Sequence, residues 1–121
     1  MKVTVQVTRS FTSALKPLLK KHPSLSKDLL LLEKELHQNP KQGTALGHNA
    51  FKIRLKISSK GKGKSGGARV ISLVEAFLVG QFQLVEEEIT VSLITIYDKS
   101  NVSNITDKEL KDLIKSFYNE K

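Results

Sequence analysis

Seven residues, Phe51-Lys-Ile-Arg-Leu-Lys-Ile57, alternate apolar and cationic side chains without a break. In an extended strand successive side chains point to opposite faces, so Phe51, Ile53, Leu55 and Ile57 share one face and Lys52, Arg54 and Lys56 share the other. The run therefore predicts a strand with one side on a core and a row of cations on the other. Directly after it come Lys60, Lys62 and Lys64, on a backbone that Gly61, Gly63, Gly66 and Gly67 leave free to fold closely around a ligand. Arg69 then opens the next apolar run. The whole stretch predicts a site for phosphate.

At 121 residues the chain is long enough for one domain, residues 1–121, with a hydrophobic core, and too short for two. With 39% hydrophobic and 26% charged residues it has the composition of a soluble globular protein. A formal net charge of +8 points to a polyanionic partner, nucleic acid first, bound with salt-dependent affinity. There is no cysteine, which excludes a disulfide scaffold and a thiolate zinc site and fits a reducing compartment. Met1 leads straight into an alternating segment, and no apolar run is long enough to span a bilayer, so the expectation is a cytoplasmic protein without a membrane partner.

Lys2 to Thr8 alternates with β-branched residues and predicts a strand. Ser10 or Thr12 is the expected cap of a first helix carrying Phe11, Leu15, Leu18 and Leu19, with Pro17 tolerated near its start or as a kink. A second helix begins near Ser24 or Ser26, where Leu25, Leu29, Leu32 and Leu36 fall at helical spacing, and Asn39-Pro40 ends it. A glycine-containing loop leads to the Phe51 strand. Arg69 to Leu78 and Ile89 to Tyr97 predict two further strands, with Phe82 to Val85 as an extension of their hairpin and Glu86 to Glu88 as its edge or turn. Thr106 and Glu109 have capping-box spacing, followed by a stripe of Leu110, Leu113, Ile114 and Phe117. The order β-α-α-β-β-β-α predicts an α+β domain with helices on a mainly antiparallel sheet.

Several chemistries are disfavoured by spacing. Gly63-Lys64-Ser65 is not a nucleotide-binding phosphate loop, because position 58, where that motif needs glycine, is Ser58, and a strand follows instead of a helix. The carboxylates lie mainly on expected helix surfaces and in Glu86 to Glu88, so no metal site and no cofactor is expected. His22 and His37 read as solvated, whereas His48, just upstream of the basic strand, is a candidate phosphate contact. No serine has a recognisable base. Phe11, Phe77, Phe82 and Phe117 lie on apolar faces and read as core, which disfavours a single-strand binder built on stacking.

Cations alone suffice for one reaction. If a ribose 2′-hydroxyl attacks the adjacent phosphorus, the protein must align the chain, take the hydroxyl proton, stabilise added negative charge and protonate the leaving oxygen. Neighbouring cations on one strand face sit about 6.8 Å apart. Their repulsion is about 0.6 kcal/mol in water and about 2.4 kcal/mol at an effective dielectric of roughly 20. That lowers a lysine pKa by roughly half a unit to two units per neighbour. Such a lysine stays mostly protonated at neutral pH, so base function needs the drier surroundings of a bound complex.

Phe51-Lys-Ile-Arg54, Lys60-Gly-Lys-Gly-Lys-Ser-Gly-Gly-Ala-Arg-Val-Ile71 and Leu93-Ile-Thr-Ile-Tyr-Asp-Lys-Ser100, with the upstream Asn39-Pro40, Gly43 and Leu46 and the helix from Thr106, resemble in order and spacing the HigB-like branch of the RelE/ParE toxin superfamily. The likeness spans nearly the whole chain. It implies a RelE-like fold and a toxin of a type II toxin–antitoxin module, a metal-independent endoribonuclease that cuts mRNA on the ribosome and is silenced by a cognate antitoxin. By position Lys52 and Arg54 match the family's paired strand cations, Arg69 its phosphate-stabilising arginine and Lys99 the cation after the last strand. Two departures stand out. Val102 to Ile105 lacks the tyrosine that several members carry past that cation, with neither Tyr97 nor Tyr118 matching it, so the general acid and base stay unassigned. Ala76 to Glu88 is also longer than expected.

The expected working set is thus Lys52, Arg54, Arg69 and Lys99, with Lys56, Lys60, Lys62 and Lys64 as RNA contacts; no small-molecule ligand is expected. The ParE branch acts on DNA gyrase instead, so a noncatalytic toxin of that kind, or a basic nucleic-acid-binding regulator, is the alternative.

Overall fold

The computed structural model describes residues 2–61, 63, 66–81, 84–101 and 104–120. Strand β1, Lys2–Val7, passes at once into helix α1, Arg9–Lys21. Thr8 makes the junction: its backbone stays extended and its hydroxyl accepts a hydrogen bond from the Phe11 N–H at 3.2 Å. The cap is therefore Thr8 rather than Ser10 or Thr12, because the helix starts as soon as the strand stops. Pro17 lies inside α1, where it removes one helical hydrogen bond, and the helix continues past it with Leu15, Leu18 and Leu19 packed on the core.

Helix α2, Leu25–Gln38, follows after Pro23 and Ser24. Strand β2, Thr44–Gly47, is an element that the glycine-containing loop expectation missed, so the order is β-α-α-β-β-β-β-α. It forms a hairpin with β3, Ala50–Leu55, through His48 and Asn49, both at positive φ (56° and 63°), the left-handed conformation of a two-residue primed turn. A 3₁₀ turn at Ser58–Lys60 precedes β4, Ala68–Gln81, which runs antiparallel to β5, Leu84–Asp98. Helix α3, Asp107–Asn119, closes the chain, with the expected capping box formed by Thr106 and Glu109.

The five strands lie in the order β1-β5-β4-β3-β2. Three of the four pairings are antiparallel, and β1 runs parallel to β5. The sheet is therefore mixed. Each face carries a core. On one side α1 and α2 bring Phe11, Leu25, Leu32 and Leu36 against Ile53, Leu55, Val70, Val91 and Leu93. On the other, α3 brings Leu110 and Phe117 against Ala50, Ile71, Leu73 and Ile94. A bulge where Ile71 and Ser72 meet β5 shifts the alternation of that strand: Ile89, Val91, Leu93 and Ile96 belong to the first core while Ile94 belongs to the second. This is why β5 reads as apolar on both faces.

The face opposite the Phe51 row is thus only partly a row of cations, since Ala50 at its start is roofed by α3. Phe11 and Phe117 are buried as expected, but Phe77 is 47% exposed, because β4 runs on past the end of its pairing with β3 at Leu73. Phe82 lies outside the described residues. No helix among the described residues is long and apolar enough to cross a membrane.

Candidate anion-binding site

Register across the sheet assembles the site. Arg54 of β3 is the cross-strand partner of Arg69 of β4, and Arg69 is the partner of Tyr97 of β5. Directly opposed residues in an antiparallel pair have Cα atoms about 5 Å apart, so three chemically active side chains stand in one row across roughly 10 Å. Two residues along β3, Lys52 is opposite Ile71. Lys52, Arg54 and Arg69 all follow the alternation that places Ala50 and Ile71 on the α3 side of the sheet.

The three cations differ in setting. Arg54 is exposed and lines a groove at the open edge of β3, with Lys56 beside it and Asp28 and Glu35 of α2 opposite. Lys52 is half-buried, and its ammonium donates to Asn104 Oδ1 at 3.2 Å. Arg69 is only 5% exposed and donates from Nη1 to the Ala68 carbonyl at 3.1 Å. Burial, and then the positive charge of Arg54, lower the pKa of Arg69, with Tyr97 partly offsetting them. A guanidinium still keeps its charge at neutral pH. The end of the sheet therefore concentrates like charge next to a low-dielectric interior, the arrangement that favours an incoming anion.

Tyr97 stands before Lys99 and so does not match the tyrosine that the resemblance places after that cation. Burial raises the pKa of its phenol, partly offset by the Ile105 backbone N–H and the Arg69 charge, so the hydroxyl is a proton donor at neutral pH. The Ile105 N–H donates to Asn104 Oδ1 at 3.0 Å, and no partner completes a hydrogen bond with the buried Tyr97 hydroxyl among the described residues. A groove of about 370 Å³ runs past it, lined by Thr95, Ile105, Glu109, Asp112 and Leu113. The signal for Tyr97 in the sequence was its position near the end of a strand pairing with Arg69, which only the register reveals.

The loop cations separate into two kinds. Lys60 does not project toward solvent: its ammonium lies 2.7 Å from Asp98 Oδ1 and also donates to Ser100 Oγ at 2.7 Å and the Gly66 carbonyl at 3.2 Å. Burial alone would push the Asp98 carboxyl up, but Lys60 and the hydrogen bonds from Ser100 outweigh it and hold the group well below the usual carboxylate range. His22, expected to be solvated, is 8% exposed with Nε2 3.4 Å from Asp98 Oδ2. The reason is tertiary: the end of α1 folds onto the end of β5. On the other flank, Asp28 accepts hydrogen bonds from the Ser58 N–H and hydroxyl and from Ser24 Oγ, which fastens the start of the loop to α2.

Gly67 completes the anchorage, because a Cβ there would run into the Leu55 carbonyl. Its own carbonyl accepts the Lys99 N–H at 3.0 Å, which brings Lys99 beside the start of β4, one residue past the Ala68–Asp98 pair. Lys56 is exposed beyond the end of β3. Lys62 and Lys64 lie outside the described residues. His48 is exposed at the tip of the β2–β3 hairpin, at the Ala50 end of β3 and so away from the Arg54–Arg69 pair. Among the described residues no group of three or more His, Asp or Glu side chains lies close enough to hold a metal ion.

No protein-family model matches the chain, and no solved structure matches it.

Proposed function

We propose that this chain is the toxin of a type II toxin–antitoxin module, of the HigB-like RelE/ParE kind, acting in the cytoplasm as a ribosome-dependent mRNA endoribonuclease. The observation that carries the reading is the cross-strand row of Arg54, Arg69 and Tyr97, with Lys52 two residues along β3. In this reading Arg69 and Arg54, side by side on one face of the sheet, hold the scissile phosphate and stabilise the charge that builds as the 2′-oxygen attacks phosphorus. Neither can serve as base, because a guanidinium does not give up its proton at neutral pH.

Lys52 is the candidate base, half-buried and two residues along β3 from Arg54: as the bound RNA excludes water its ammonium gives up a proton to solvent, and the neutral amine then takes the 2′-hydroxyl proton. Tyr97, protonated and close to Arg69, is the candidate acid that returns a proton to the departing 5′-oxygen, leaving a 2′,3′-cyclic phosphate. Lys99 and Lys56 hold flanking phosphates, as Lys62 and Lys64 would from the loop. Lys60 is left out of the interface because its ammonium is held by Asp98. The antitoxin, in this reading, covers the same basic row.

The test is induction of the chain in growing cells followed by mapping of mRNA 5′ ends. Cuts spaced by codons, absent with Arg54→Ala, support the assignment. Intact mRNA with DNA damage replaces it with a gyrase-directed toxin, and intact mRNA without damage leaves a basic nucleic-acid-binding regulator.

A further inference from the structure

The β4–β5 ribbon takes no part in the anion site. β3 pairs with β4 only as far as Leu73, and the last bond from the β2–β3 hairpin is the Val74 N–H to the Asn49 carbonyl at 2.9 Å. From Glu75 to Gln81 the outer edge of β4 has no strand beside it among the described residues. Seven residues of open edge span about 24 Å.

Free edges are normally blunted by charge, shortness or bulges. The others here are. β1 exposes Lys2, Thr4 and Gln6; β2 is four residues long and irregular at Ala45; β3 past its pairing with β2 carries exposed Arg54, with exposed Lys56 just beyond its end; and the free part of β5 carries Glu86 and Glu87. The β4 edge instead runs uncharged and mostly apolar over six residues, from Ala76 through Phe77, Leu78, Val79 and Gly80 to Gln81, with Leu78 77% exposed and Phe77 and Val79 47% each.

We infer that this edge is a homodimer interface, in which β4 pairs antiparallel with β4 of a second copy about a two-fold axis at Leu78. Charge selects both the edge and the occupant. With the axis at Leu78, Phe77 faces Val79 of the other copy, Ala76 faces Gly80 and Glu75 faces Gln81, so no like charges oppose one another. The two acidic β5 segments end up on the outside of a four-stranded ribbon, about 14 Å apart and beyond the Debye length of about 8 Å at physiological salt. Pairing through β5 would instead set Glu86 and Glu87 against their own copies. Shared alternation gathers the Phe77 and Val79 side chains of both copies on one face and the two Leu78 side chains on the other. The contact is isologous and closes at two copies.

The test is sedimentation equilibrium of the full chain. A short edge implies micromolar affinity, so loading runs from ~1 to ~300 µM. The wild-type chain is expected to move from the 13.5 kDa of one chain to twice that mass with rising concentration. Leu78→Lys and Leu78→Glu, at a site too exposed to threaten folding, each stay monomeric because like charges meet on the axis. Mixing the two restores the dimer. A wild-type chain monomeric throughout, a dimer unaffected by either substitution, open-ended association, or a mixture that stays monomeric would each overturn the inference. Because mRNA cleavage is not read, this outcome is independent of the proposed activity.

Discussion

The Lys60 ammonium lies 2.7 Å from Oδ1 of Asp98, with side chains 14% and 2% exposed, so one lysine of the basic loop is an internal strut. Breaking a buried pair by removing one partner leaves an uncompensated charge and costs about 3–5 kcal/mol. Lys60→Met is therefore expected to lower unfolding free energy in urea by about 3 kcal/mol. A variant as stable as the wild type but weaker on RNA would return Lys60 to the interface.

Acid should remove the same contribution. The carboxyl of Asp98 is held below its unfolded value, so its stabilisation is present above the unfolded pKa near 3.9 and is lost as pH falls toward the folded value. The stability difference between the wild type and Asp98→Asn is expected to be flat above about pH 5 and to shrink progressively below about pH 4. Urea unfolding at a series of pH values checks this, and a difference that grows on acidification would contradict it.

Arg54 separates function from fold better than Arg69, because it is exposed while Arg69 is 5% exposed. Arg54→Ala should leave the thermal midpoint within a few degrees, since exposed substitutions usually change stability by about 0.5 kcal/mol or less. Loss of one group that stabilises transition-state charge costs about 10²–10³ in rate. Single-turnover cleavage on programmed ribosomes reads the effect, and an unchanged rate would remove Arg54 from the site.

What the sequence disclosed was local, and what it hid was tertiary. Alternation over Phe51–Ile57 and the Thr106–Glu109 spacing are written into consecutive residues, so β3 and the start of α3 could be read directly. The parallel β1–β5 pairing joins residues more than eighty positions apart, and nothing in Lys2–Val7 announces it. β2 is four residues ending in glycine, too short to show a period. Asp98 draws His22 and Lys60 inward from two other parts of the chain, which makes two inward-facing partners out of a histidine expected to be solvated and a lysine expected to contact RNA. Phe77 was expected in the core because its own strand is apolar, but β3 stops pairing with β4 at Leu73 and leaves β5 as the one strand beside it there among the described residues.

Gly67 should tolerate no side chain. A Cβ there would collide with the Leu55 carbonyl, which is backbone and cannot swing aside. Gly67→Ala is expected to destabilise the domain by about 2 kcal/mol or more, through forced separation of the β3 end from the loop, as overpacking typically costs about 1–3 kcal/mol. Gly61→Ala, where a Cβ meets nothing within 4 Å, is the control and carries only the cost of its positive φ. Equal effects of the two substitutions in thermal unfolding would refute the steric account.

Tyr97 gives the sharpest division between stability and activity. Its hydroxyl is buried without a hydrogen-bond partner among the described residues, and burying such a group costs about 1–3 kcal/mol. Tyr97→Phe keeps the ring against α3 and removes only that oxygen, so the variant should be as stable as the wild type or up to about 1 kcal/mol more stable. If the oxygen exists to donate to a phosphate or to a departing oxygen beside Arg69, cleavage should fall by about 10²-fold in the same variant. A residue kept for packing alone would lose neither. Chemical denaturation and single-turnover cleavage on the same preparation test the pairing, and a variant that cuts at the wild-type rate, whatever its stability, would make Tyr97 structural.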